Sequence, residues 1–231
     1  MKVAVMQPYL FPYIGYFQLI NSVDCFVFYD DVDYIQRGWI NRNRILINKE
    51  SKYFTVPVKK SRLGTPIHDV YIVDFNSWKM IFLTTLRQSY KKAKNFDFTF
   101  KLLQDYLINR EFDKIDDFSI SSIKFICNIL NIKSNFIRSS ELNIDKRLEK
   151  EEKLEYIIKR VNGKSIILPP GSKELYHQWN PVGISKHTLS MPDLKYYQNM
   201  DSFVDNLSII DILMHNTLDE TIELINNFKC G

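Results

Sequence analysis

The first thirty residues constrain most strongly what this chain can fold into. "KVAVM" is a short, mostly apolar run that stops at Gln7 and Pro8, the pattern of a strand buried on both faces of a parallel or mixed sheet. Ile14, Phe17, Gln18 and Ile20 to Val23 follow at helical spacing, and "DCFVFYDDV" then supplies a second buried run. Strand, loop, helix and strand in that order make a βαβ unit. The expected fold is therefore α/β and Rossmann-like, with a mainly parallel sheet.

The rest of the chain adds pieces to that unit. "NRILI" and "KYFTVPV" flank a polar turn around Asn48 to Ser51, a connection too short for a parallel crossover, so they predict an antiparallel hairpin. "HDVYIVD" alternates and reads as one more strand. "WKMIFLTTLRQSYKKA", "FTFKLLQDYLINREF" and "DFSISSIKFICNIL" each carry apolar residues three and four apart and predict three packed helices. We read them as a helical insertion, about residues 76–132, in a single α/β domain spanning residues 1–231. "NFIRSSEL" is a short strand, "RLEKEEKLEYIIKRVNG" a helix ended by Asn162 and Gly163, and "KSIILPPGS" a strand halted by two prolines. The tail predicts one or two helices with a break near Asn216.

Charge and cysteines bound the partners. With 31 basic against 27 acidic residues the net charge is only +4, and the lysines are scattered. Nucleic-acid binding is not expected, whereas a phosphate-bearing small molecule suits a mildly basic chain. Cys25, Cys127 and Cys230 form no CxxC pair and read as the reduced thiols of a cytoplasmic protein. No signal peptide is expected, nor any run of the ~20 apolar residues that a membrane span needs. Oligomeric state is left open.

Four segments carry candidate chemistry. In "MQPYLFPYIGYFQLI", Pro8 and Pro12 each fix φ and stiffen a loop at the carboxyl end of the first strand, holding Gln7, Tyr9 and Tyr13 at set angles, with Tyr16 just beyond it as a further candidate for substrate contact. Gly15 would allow close backbone approach at the helix start, where free N–H groups favour an anion. The same segment also fits a turn that simply packs its rings into the core. Asp30 and Asp31 end the second strand and suit a ligand hydroxyl, a metal or an ammonium group, or equally a turn and helix cap. "DYIQRGWINRNRI" gathers Arg37, Trp39, Asn41, Arg42, Asn43 and Arg44: guanidinium forks for carboxylate or phosphate and an indole for stacking. Finally, Gly171 and Ser172 after Pro169 and Pro170 would open a short helix toward the same sheet edge, with Lys173, Tyr176 and His177 on its first turns. His177 is the candidate general base; His68, His187 and His215 have no partner motif and read as structural. No GxGxxG, P-loop, GxSxG or metal-ligand spacing is present.

Taken in order, "MQPYLFPYIGYFQLINSVDCFVFYDDVDYIQRGWINRNRI", "FTVPV", "ILPPGSKELY" and "NLSIIDILMHN" resemble the WbqC-like proteins of bacterial O-antigen and polysaccharide gene clusters, nearly end to end. Thr217 stands where that family usually has a glycine. The resemblance implies an enzyme that transfers an aminoacyl group, such as glycyl, or another acyl group to an amino sugar carried on a nucleotide. Asp30, Arg42 and His177 would be catalytic, and Arg37, Arg44, Trp39, Gly171 and Ser172 would hold the substrate. A more distant likeness joins the strand, proline loop, Gly15 and helix to the HxGH nucleotidylyltransferase fold, but Tyr13 and Tyr16 occupy its two histidine positions. A nucleotidyltransferase and a non-catalytic sugar-binding partner therefore stand as alternatives. Whether ATP or an acyl or aminoacyl donor is used, and whether a carrier protein delivers it, stays open.

Overall fold

The computed structural model describes all residues except 146, 173, 193, 201 and 231. Its first 28 residues are the expected βαβ unit: strand β1 (Lys2–Met6), helix α1 (Ile14–Asn21) and strand β2 (Cys25–Phe28). β1 and β2 pair in parallel, Val3 opposite Cys25 through Met6 opposite Phe28. Strands β3 (Arg42–Ile47) and β4 (Glu50–Thr55) form the antiparallel hairpin, a two-stranded sheet of its own, and Asn48 and Lys49 turn it with positive φ. The alternating "HDVYIVD" is not a strand. It makes a single 3₁₀ turn at Ile67–Asp69 and isolated bridges from Tyr71 and Ile72, because Ile67, Val70 and Ile72 are drawn into the core.

Helices α2 (Phe75–Tyr90), α3 (Phe96–Ile108) and α4 (Ile115–Ile129) follow, each with an apolar stripe at helical spacing. The chain then returns to the sheet as β5 (Asn135–Arg138), runs through α5 (Lys150–Arg160) to β6 (Ser165–Leu168), and continues to β7 (Ser185–Ser190). Helices α6 (Ile209–His215) and α7 (Leu218–Asn226) and the short strand β8 (Lys229–Cys230) close it. The tail breaks where expected, with Thr217 and Glu220 forming a capping box that starts α7.

The main sheet has the order β5-β2-β1-β6-β7-β8, parallel except for the last pair. Strand alternation divides the core in two. Ala4, Phe26, Phe28 and Ile167 face α1 and the helices beyond it, while Val3, Cys25, Val27, Ile166 and Leu168 meet α5 through Leu154, Ile157 and Ile158. Cover on both faces explains why β1 and β2 read as continuous apolar runs. Among the described residues no helix is long and apolar enough to cross a membrane.

Candidate functional site

All five parallel strands end on one edge, so the loops after β1, β2, β5, β6 and β7 share a rim. In open α/β sheets ligands bind outside this carboxyl edge, near the point where strand order reverses. Here the order reverses between β1 and β6. Gln7 follows the first of these strands and Pro169 the second, so both proline corners leave adjacent strands of the same edge.

The opening loop is pinned from four sides. The Leu10 amide donates to the Trp39 carbonyl (3.0 Å), and the Asn43 side-chain amide donates to the carbonyls of Leu10 and Phe11 (3.0 Å each). Ser208 Oγ donates to the Phe11 carbonyl (2.7 Å), and the Ser122 hydroxyl accepts from the Phe11 amide (3.2 Å). These bonds hold Phe11 at φ 39°, a left-handed backbone that a phenylalanine adopts only under constraint. The rings therefore have two uses. Phe11 and Tyr16 are buried, Phe11 against Phe82, Tyr106 and Phe118, while Tyr9 and Tyr13 stay half-exposed on the rim. Tyr16 donates its hydroxyl to the Gln7 carbonyl (2.8 Å). The space over Gly15 belongs to the Tyr13 ring and Met191, whose sulfur would lie 2.7 Å from a Cβ built there, so the glycine admits protein side chains.

On one side of this loop lies a cleft of about 790 Å³, walled by Gln7, Tyr29 and Asp31, by the turn carrying His68, by Ser140 and Asn143 after β5, and by Lys150 and Lys153 of α5. Asp31 meets Lys153 Nζ at 2.8 Å and also accepts from the Ser139 hydroxyl. His68 Nδ1 sits 3.0 Å from the Asp30 carbonyl, an acceptor, so Nδ1 carries the N–H that donates there, and Nε2 lies 3.7 Å from Asp69. Burial, Asp31 and Tyr176 push the Tyr29 phenol well up, so it remains a neutral donor. A carboxylate, two ammonium groups and an imidazole with one nitrogen fixed thus face one volume of substrate size.

On the other side, Tyr9, Tyr13, Trp39, Asn43, Arg44 and Asn206 surround a smaller chamber of about 260 Å³. Tyr13 and Asn206 also border a cavity of about 420 Å³ over Gly15. The sequence candidates are therefore distributed. Gln7 and Asp31 lie on the cleft, and Tyr9, Tyr13, Trp39, Asn43 and Arg44 on the chamber.

Others face away from both. Asp30 is completely buried, and its carboxylate is taken up by Arg138 Nε (2.7 Å), the Ser140 amide (2.9 Å) and the hydroxyls of Ser139 (3.1 Å) and Ser140 (2.8 Å). Arg138 also meets Asp116 and Asp117. Asn41 is buried and donates to the Val56 carbonyl. Arg42 donates to the carbonyls of Gly38 and Arg37 and lies 4.2 Å from the Tyr53 ring centre, and Arg37 is exposed with φ 62°. Pro170 to Ser172 form one 3₁₀ turn in place of a helix, and Ser172 Oγ donates to the Pro169 carbonyl in that turn. Gly171 is exposed, and Lys173 lies outside the described residues. His177 lines a separate hollow with Glu151 and Glu174. Tyr29, His68, Ser140, Asn143, Lys150 and Lys153 are among the cleft residues that the sequence did not single out as site candidates. Among the described residues no cluster of metal-ligating side chains occurs.

A family model described as the WbqC-like protein family matches residues 7–223. A mycobacterial protein, "Uncharacterized protein Rv1507c" of Mycobacterium tuberculosis (strain ATCC 25618 / H37Rv), is 31% identical over 139 residues, which span 60% of this chain and 60% of that protein. No solved structure matches the chain.

Proposed function

We propose, from the premise that the chain belongs to the WbqC-like protein family, that it is an enzyme joining an aminoacyl group to an amino sugar carried on a phosphate, as part of surface-polysaccharide synthesis. One observation carries this reading: the rim cleft sets His68, Asp31, Lys150 and Lys153 around a single volume of about 790 Å³.

Each group has a task in such a reaction. Lys150 and Lys153 attract the phosphate, since ammonium groups bind it as point charges. Asp31, partly neutralised by Lys153, accepts hydrogen bonds from the sugar amine. His68 Nε2 is the general base. The amine nitrogen attacks the acyl carbonyl, the new N–C bond forms, the bond from acyl carbon to donor breaks, and the proton leaving nitrogen passes to Nε2. Tyr29 and the Gln7 side-chain amide stand nearby as donors for the carbonyl oxygen.

The test is direct. Purified protein is incubated with a nucleotide-linked amino sugar and a varied donor: amino acid with ATP, an aminoacyl carrier protein, or aminoacyl-tRNA. Mass spectrometry then looks for the sugar plus one aminoacyl residue. A product with one donor class supports the reading, and no mass increase with any of them contradicts it. Release of pyrophosphate without a new amide would favour the nucleotidyltransferase reading that Gly15 raises.

A further inference from the structure

We infer that the chamber between Tyr9, Tyr13, Trp39 and Arg44 is a second ligand site, and that it takes a single pyranose ring bearing one anionic group. The chamber and the cleft have separate linings, with no residue in common.

Three observations point to a built site. The first is construction: segments 7–13, 39–44 and 205–209 come from distant parts of the chain and are laced together by main-chain hydrogen bonds around the space. Leu10 N donates to Trp39 O (3.0 Å), Ser208 N to Arg44 O (2.9 Å) and Ile209 N to Pro12 O (2.9 Å), so the walls are set before any ligand arrives. The second is charge. The Arg44 guanidinium pairs with no carboxylate among the described residues; its Nη2 donates only to neutral main-chain carbonyls, those of Asn206 (3.1 Å) and Asp205 (3.5 Å). A guanidinium on the chamber wall whose charge no carboxylate offsets favours an anion, and its planar fork fits carboxylate or phosphate. The third is surface. Tyr9, Tyr13 and Trp39 supply half-exposed aromatic rings with polar tips, and partial burial raises both phenols further above their ordinary value, so they stay hydrogen-bond donors.

Size selects the ring. At about 260 Å³ the chamber falls below the range of pockets that enclose drug-sized ligands, which favours one sugar ring over a whole nucleotide. The nearby guanidinium, 5.7 Å from the Trp39 ring, disfavours a cationic guest in the aromatic enclosure.

Trp39 is a natural reporter, because the other two indoles, Trp78 and Trp179, are only 7% and 4% exposed. Tryptophan emission is recorded while the protein is titrated with D-glucuronate, with D-glucose 1-phosphate and with neutral D-glucose. A saturable change is expected with one or both charged sugars, none with glucose at the same concentrations, and none in Trp39→Phe. Arg44→Gln is expected to weaken the response about tenfold or more. Response to glucuronate alone identifies a carboxylate, and to glucose 1-phosphate alone a phosphate. If Arg44→Gln fails to fold, the contrast between charged and neutral sugar on the unaltered protein decides. No saturable change with either charged sugar, an equal change with glucose, or a signal that persists in Trp39→Phe overturns the proposal. None of these outcomes depends on turnover, so they leave the aminoacyl-transfer reading to its own assay.

Discussion

His68 and His177 carry the same imidazole in different settings, and the setting decides which is suited to proton transfer. His68 has one nitrogen tied to a main-chain carbonyl and stands on the cleft; His177 shares an open hollow with two glutamates. Asp30 illustrates the same point from the other direction. A carboxylate at a strand end resembles a catalytic group in sequence, yet here a guanidinium and three further donors absorb it with nothing left to offer a ligand. Asp30→Asn presents an amide to groups that all donate and removes the charge paired with Arg138. It is expected to destabilise the fold by about 3 kcal/mol, the scale for breaking a buried pair. Urea unfolding checks this, and a loss below about 1 kcal/mol with abolished turnover would return Asp30 to a catalytic role.

At the scale of elements, the opening loop and the start of α1 are the pieces under tightest constraint. Adding one methyl at Gly15 would push on the Tyr13 ring and on Met191, with a cost on the order of 1–3 kcal/mol for overpacking. Gly15→Ala is therefore expected to lower the melting temperature, and Met191→Ala in the same chain to recover part of the loss. A double-mutant cycle with zero coupling would contradict the contact. The βαβ unit, the hairpin and the three middle helices were legible in the sequence because their periodicities are local. "HDVYIVD" misleads because alternation there serves a turn whose Ile67, Val70 and Ile72 dip into the core with no neighbouring strand to pair along their length. The Pro169 corner was legible as a corner, but its helix did not form. Asn43 looked like a ligand contact; the loop carbonyls of Leu10 and Phe11, more than thirty residues upstream, claim its amide.

On the scale of the whole molecule, the rim is assembled from segments that no spacing rule connects. Lys153 reaches Asp31, and Asn206 closes a chamber begun at Tyr9, so only the paired strands and the hydrogen bonds around them reveal these groupings. The same burial that builds the core governs its thiols and phenols. Burial pushes the Cys127 thiol from 9.0 up to about 12 and the Tyr106 phenol from 10.0 up to about 12, and it raises Cys25 as well. Both values are higher folded than unfolded, so the unfolded chain loses these protons first. Their contribution to stability is in place below pH 9 and is lost as pH rises through about 12. Melting temperature should fall steadily over that interval; an unchanged value would contradict the burial of these groups. A thiol reagent at neutral pH should modify the exposed Cys230 readily and reach Cys25 and Cys127 only after denaturation.

The claim on which the functional account depends is that transfer takes place in the cleft over the carboxyl rim, with His68 receiving the proton. The decisive measurement compares aminoacyl transfer and acceptor affinity in the unaltered protein, His68→Gln and His177→Gln. Transfer in His68→Gln should drop about 10²- to 10⁴-fold at unchanged affinity, as for loss of a general base, while His177→Gln keeps full rate. Undiminished transfer in His68→Gln, or its loss in His177→Gln, would contradict the account.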